Sequence, residues 1–198
     1  MGGVFGPASK KDCVMDLFFG VDYHSHLGTK NGGLCVYGEK GFDRTIHSIG
    51  NAPFRYKFQD DIEEMEGKMG IGAISDTEPQ PLTVYSKLGH YSLATVGIIN
   101  NKEELVEELI REEKAQFMSM SGGGINNTEL AAALISTQDS LPEGLRYAQK
   151  KVEGSLTMLA LSPEGLYAAR DYKGRTPLII GKREDAYCVA SESFSNIN

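Results

Sequence analysis

Cysteine is scarce in this chain of 198 residues, which holds only Cys13, Cys35 and Cys188. An odd number at wide spacing excludes a disulfide framework and a zinc-ligand pattern. The three are expected to be buried, reduced thiols of a cytoplasmic protein. No apolar run approaches the ~18 residues that span a bilayer, so no membrane segment is expected. The first residues carry no charged stretch followed by an apolar one, so no signal peptide is expected. Met1-Gly2 opens like a myristoylation site, but Gly6 stands where that motif needs Ser or Thr. A basic excess is also missing. Lys plus Arg number 20 against 27 Asp plus Glu, a net charge of −7. Such a chain is a poor partner for nucleic acid or an anionic membrane surface. Repeats, low-complexity segments and linkers are absent.

What is present is a globular composition: 40% hydrophobic, 9% aromatic, and 23 glycines. The glycines exceed the usual ~7% and imply many tight turns. At ~150 residues per domain, 1–198 reads as one domain. A domain of this size buries roughly 70% of its unfolded surface and needs neither disulfides nor metal to fold.

The periodicity predicts a strand at Gly3–Gly6, then a helix from Lys11 to about His26 on Val14, Leu17 and Phe18. Strands follow at Gly33–Tyr37 and about Thr45–Ile49, then a short acidic helix over Asp60–Gly67 and a strand at Met69–Ser75. Leu82–Ser86 and Tyr91–Ile99 flank Lys87-Leu88-Gly89-His90 as a hairpin. Asn101 with Glu104 looks like a capping box opening a helix through Leu105 and Leu109. A second helix starts at Asn126 or Asn127, and a third runs from Pro142 to about Val152. Four apolar runs close the chain: Leu156–Leu161, Gly165–Ala169, Leu178–Ile180 and Tyr187–Ala190. Strands, central helices and strands again predict an α+β sandwich, two antiparallel sheets face to face with helices outside.

Several strings, in this order, resemble one family. They are Gly3-Val4-Phe5-Gly6, His26-x-Gly28-x-x-x-x-Gly33, Gly70-Ile71-Gly72, Pro79-Gln80-Pro81, Thr128-Glu129 and Gly154-Ser155. Last come Ala168-Ala169-Arg170-Asp171-x-x-Gly174-Arg175-x-Pro177-Leu178, the most specific, and Ala190-Ser191-Glu192-Ser193. Together they resemble the glutaminase domain of class II glutamine amidotransferases, above all the N-terminal domain of the amidophosphoribosyltransferases of purine biosynthesis. The resemblance covers nearly the whole chain. It implies the four-layered αββα fold of N-terminal-nucleophile hydrolases. It also implies a longer parent chain, with a phosphoribosyltransferase-like domain after these residues.

In the family so resembled, an N-terminal Cys attacks the carboxamide of glutamine, with its own α-amine as base. An Asn side chain and a Gly N–H hold the oxyanion. An Arg pairs with the substrate carboxylate and an Asp with its amino group. Position by position, this sequence departs from that pattern. Gly2 stands at the nucleophile. Thr95-Val96-Gly97 replaces His-Asn-Gly, so Gly97 keeps its N–H while Val96 stands for the Asn. Ser75 falls on the Arg, and no Arg lies between Arg55 and Arg111. Asn127 stands for the Asp. His26 and Gly28 belong to the motif beside the substrate. The implied reading is a glutaminase fold that has lost its glutamine chemistry. The alternatives are a binding or regulatory module for a small amide or amino acid, and an active glutaminase domain supplying ammonia.

Plainer roles stand beside these. Arg170, Asp171 and Arg175 brace a turn. Asn127 is an N-cap rather than a ligand contact. His24 and His26, two apart on a helix, do not face one another and hold no metal. Cys35 lies mid-strand among apolar residues, too buried for a replacement nucleophile. Pro79-Gln80-Pro81 is a rigid turn. Asp76 and Glu78 are expected in solvent rather than as an acid–base pair. No cofactor or metal is expected. Glutamine or a related amide is the expected small-molecule partner, and self-association stays open.

Overall fold

A computed structural model describes every residue except 1, 113, 116, 118, 119, 122, 123 and 194–198. Its larger sheet is built from β1 (Gly2–Ser9), β2 (Asn31–Gly38), β3 (Gly41–Ser48), β4 (Met69–Ser75), β11 (Ile179–Lys182) and β12 (Ala186–Ala190). The strand order is β11-β12-β1-β4-β2-β3, antiparallel throughout. The smaller sheet takes β5 (Leu82–Ser86), β6 (Gly89–Ile99), β9 (Gly154–Ser162) and β10 (Gly165–Ala169) in the order β10-β9-β6-β5. A two-residue ribbon, β7 (Met120–Ser121) with β8 (Gly124–Ile125), stands apart.

Alternation along the strands builds the layers, because successive side chains point to opposite faces. Val4 and Cys35 join Ile71, Ala94 and Leu159 in a core between the sheets. Their neighbours Phe5, Leu34 and Val36 turn outward and pack under α1 (Val14–Tyr23) and α2 (Phe54–Phe58). On the other side, Leu93 and Met158 turn away from that central core toward α4 (Lys102–Arg111), α5 (Asn127–Ser136) and α6 (Leu141–Lys151). The result is the expected αββα arrangement of two antiparallel sheets.

Local departures from the sequence reading have physical causes. The first helix is shorter than 11–26: it opens at Val14, where Asp12 accepts from the Val14 N–H at 3.1 Å, and gives way to a 3-10 turn at Ser25–Leu27. Helix α2 was not anticipated; it rests on Phe54 and Phe58, one turn apart and both buried. The acidic helix shrinks to α3 (Asp61–Glu64). Asn101 precedes α4 without capping it. Its amide instead donates to the Lys151 carbonyl and accepts from the Glu153 N–H, which pins the end of α6. The cap of α5 is Asn126, whose side chain accepts from the N–H groups of Thr128 and Glu129. That leaves Asn127 as the first helical residue.

Candidate functional site

A cavity of about 500 Å³ opens where the starts and ends of several strands meet. The beginning of β1 supplies Gly2, and the end of β4 supplies Ile74 and Ser75. From β6 come Thr95, Val96, Gly97 and Ile98. Asn127 enters from the first turn of α5, Ser155 from β9 and Arg175 from the loop before β11. Five of the residues singled out in the sequence thus come together: Gly2, Ser75, Val96, Gly97 and Asn127. The other two do not line it. His26 is exposed and pairs with Glu192, which does line it, at 3.0 Å. Gly28 is buried beside Ile74 and Asp76.

Backbone crowding shapes the site at two glycines. Gly2 lies opposite Ser75 in the β1–β4 register. A Cβ added there would fall 2.5 Å from the Ile74 carbonyl oxygen, too close for any side chain unless the strands shift. At Gly97, φ is +155° and a Cβ would meet the Ser155 carbonyl oxygen at 2.0 Å. Only glycine lets β6 and β9 approach so closely.

The polar floor is a connected network. Glu78 is 5% exposed, against the expectation that it would sit in solvent. Its Oε1 accepts from the Thr128 N–H at 3.0 Å and from Thr128 Oγ1 at 3.1 Å. Thr128 Oγ1 is 2.7 Å from Thr95 Oγ1, and the Thr95 N–H donates to Gln80 Oε1 at 2.7 Å. Burial of the carboxylate is tolerated because several donors satisfy it. Asp76 is held elsewhere: the Thr29 N–H donates to it at 2.7 Å and keeps its carboxyl below the ordinary value. The two acids therefore have separate partners and do not form a pair. The Pro79-Gln80-Pro81 turn carries a cis Gln80-Pro81 bond, and it buries the Gln80 side chain at the cavity.

Asp171 does brace its turn. Its carboxylate accepts from the Leu156 and Arg175 N–H groups at 3.3 and 2.7 Å, and its own N–H donates to Thr157 Oγ1. Arg170 reaches the Gly174 carbonyl at 3.4 Å. Arg175 differs from the structural role expected of it, because it also lines the cavity.

No lining residue of the cavity is a cysteine. Cys35 is fully buried between the sheets, and desolvation pushes its thiol up to about 11. Burial pushes Cys13 up to about 12. A protonated thiol is a poor nucleophile. His24 is buried, with Nδ1 2.6 Å from the Gly20 carbonyl, so it does not share a face with His26. Among the described residues, no group of three or more His, Cys, Asp or Glu could hold a metal ion. No described helix is long and apolar enough to cross a membrane.

Comparison with known proteins agrees with this architecture. Residues 68–195 match the model of the glutamine amidotransferase domain. The chain belongs to the class II glutamine amidotransferase domain family. The domain is 27% identical to an amidophosphoribosyltransferase of Methanocaldococcus jannaschii, over 97% of this chain and 42% of that protein. It is 31% identical to one of Archaeoglobus fulgidus, over 86% and 39%. The chain thus spans about two fifths of the length of these relatives. Among solved structures, the glutamine phosphoribosylpyrophosphate amidotransferase of B. subtilis, complexed with ADP and GMP, superposes with a TM-score of 0.84. That match has 24% identity and covers 98% of this chain and 42% of that one. A class II domain protein from Silicibacter pomeroyi gives a TM-score of 0.58 at 10% identity, covering 95% and 87%. The amidotransferase domain therefore has the N-terminal-nucleophile hydrolase fold.

Glu78, Gln80 and Arg175, read from sequence as a solvated acid, part of a rigid turn and a turn brace, also line the cavity. Two prolines around Gln80 were the available signal, since they fix a turn that can carry one side chain inward. Nothing local marked Glu78, because its partner Thr128 lies 50 residues away.

Proposed function

We propose that this chain is the glutaminase-type domain of a longer amidophosphoribosyltransferase-like protein of purine nucleotide biosynthesis, and that it has lost glutamine hydrolysis. One observation carries the reading: at residue 2, where the family places its nucleophile, the Ile74 carbonyl occupies the space a side chain would need.

Three further positions support it. Val96 offers no donor where an oxyanion forms, and losing one such donor costs about 10²–10³ in rate. Ser75 gives no guanidinium for a substrate carboxylate, and its Oγ instead accepts from the Thr77 N–H. Asn127 is neutral where the family has an acid. Together these remove the charge-assisted bonds that orient a zwitterion. The domain then acts as a cap on its parent, which draws on free ammonia or another amine donor. The share of relatives' length left uncovered is consistent with a C-terminal phosphoribosyltransferase-like domain. Free thiols at all three cysteines are consistent with a cytoplasmic setting.

The test is glutamate release from glutamine by this chain and by Gly2→Cys prepared with residue 2 at its N-terminus. Both are expected to be silent. Turnover by the unmodified chain overturns the reading. Turnover by the variant alone leaves the loss of hydrolysis in this chain standing, and overturns the reading of the closed space at residue 2 and of Ser75, Val96 and Asn127 as disabling.

A second reading rests on the retained cavity. A space of about 500 Å³ with a satisfied polar floor suits a bound small molecule that is not cleaved.

A further inference from the structure

Helix α1 buries one face and leaves an apolar row on the other. Val14, Leu17, Phe18 and Val21 are buried against the larger sheet and α2. On the opposite side Met15, Phe19 and Tyr23 follow at a spacing of four, 50%, 41% and 39% exposed. That spacing sets the three side chains in one row along the helix. The outer row of a surface helix is ordinarily polar, whereas this one is a ridge of a thioether and two rings.

A groove of about 440 Å³ runs beside the ridge, between α1 and the β11–β12 hairpin. Phe5, Pro7 and Cys188 form its floor, on the helix-facing side of the larger sheet. It stays open because Gly20 and Ala186 bring so little side chain to fill it; a Cβ on Gly20 would fall 2.3 Å from the Phe5 ring. Phe19 and Tyr23 are at once the ridge and one wall of the groove. None of these residues lines the cavity of the glutamine site, so the face is independent of that reading.

Both margins are electrically closed. Asp22 takes Arg55 at 2.5 Å, and the Arg55 guanidinium lies over the Phe19 ring. Across the groove Asp16 takes Arg183 through both oxygens, at 2.5 and 3.2 Å, and Asp185 holds the same guanidinium at 3.0 Å. A partner chosen by charge would meet groups already paired within the chain. A partner chosen by shape needs a groove for the ridge and a ridge for the groove, and the same face of a second copy has both.

We infer that this face is a homodimer interface, the ridge of each copy seated in the groove of the other about a two-fold axis running along α1. Such an axis exchanges a ridge and a groove that lie side by side, which is the self-complementarity an isologous contact requires. The charged margins stay paired while the apolar row is buried. Helix α1 has 10 residues and is about 15 Å long, which places the contact among the smaller, reversible interfaces.

The experiment is sedimentation equilibrium of the whole chain in about 0.15 M salt, which screens the overall charge. The mass is expected to climb from 21.6 kDa toward twice that value as concentration rises from about 1 to about 500 μM, the range of a micromolar dimer. Phe19→Glu and Met15→Lys each put a charge into the partner's groove and are expected to weaken association at least about tenfold. Phe19 also packs on Phe18, so Met15→Lys serves as the variant without that contact, and far-UV circular dichroism reports the fold of both. Cys188 identifies the face. It lies on the groove floor, so its labelling rate at about pH 8 is expected to fall at least about threefold as the parent dimerises, and to stay constant with concentration in Met15→Lys. A chain that stays at 21.6 kDa, folded variants that associate as the parent does, or a dimer that leaves Cys188 labelling unchanged overturns the inference.

Discussion

Glu78 and Thr128 lie 50 positions apart in the chain, yet both the N–H and the hydroxyl of Thr128 end on one oxygen of Glu78. The pair ties the loop after β4 to the first turn of α5. Glu78→Ala removes the acceptor and leaves the Thr128 hydroxyl buried without its carboxylate. A loss of about 1 kcal/mol is expected, the net worth of a lost hydrogen bond, because the Thr128 N–H keeps Asn126 and its hydroxyl keeps Thr95. Urea denaturation measures it. A variant as stable as the parent would show that this link contributes nothing.

Asn126 and Asn127 are adjacent but do different work. Asn126 Oδ1 accepts from the N–H groups of Thr128 and Glu129, at 2.8 and 3.1 Å. Asn126→Ala should cost about 1 kcal/mol, as capping residues do. Asn127→Ala should stay within about 0.5 kcal/mol of the parent, because its place is the cavity wall. Comparable losses from the two would contradict the assignment of the cap.

His24 introduces a pH dependence. Burial holds its imidazole below the ordinary 6.5, while its Nδ1 is bonded to the Gly20 carbonyl. The unfolded chain then binds a proton in a range where the folded chain does not. Stability is therefore complete above about pH 7 and falls as pH drops through 6.5 toward the lower folded value. Between about pH 7.5 and 5.5 the urea midpoint should fall, and His24→Leu should flatten that slope whatever its absolute stability. An unchanged slope in the variant would assign the effect to other groups.

The thiols offer a check on packing. Cys13 and Cys35 are buried and pushed up to about 12 and about 11, whereas Cys188 is half-buried and raised less far. With an aromatic disulfide reagent at about pH 8, the native protein should react first at Cys188, and all three should react after unfolding. Rapid native reaction at Cys35 would mean that the sheets part far more readily than their packing implies.

Much of the architecture was legible locally. Val4 beside Phe5, and Cys35 beside Val36, already separate the two faces of a strand, because the period of two is a property of extended backbone. The hairpin at Lys87-Leu88-Gly89-His90 and the helix after Pro142 were marked by turn and cap residues a few positions away. Asn101 misled because capping and long-range bonding use the same amide, and nothing nearby reveals that Lys151 and Glu153 claim it.

That positions 2, 75, 96 and 127 carry Gly, Ser, Val and Asn, with no thiol, guanidinium or carboxylate among them, was legible in the sequence alone, since residue identity does not depend on the fold. That they share one cavity, and that His26 and Gly28 stay outside its lining, was decided by the β1–β4 register and the meeting of β6 with α5. The tertiary structure alone decided that the Ile74 carbonyl closes on residue 2 and that Glu78 is buried. Both depend on contacts between segments distant in the chain, and neither solvent exposure nor steric space at a residue is encoded by its neighbours in sequence.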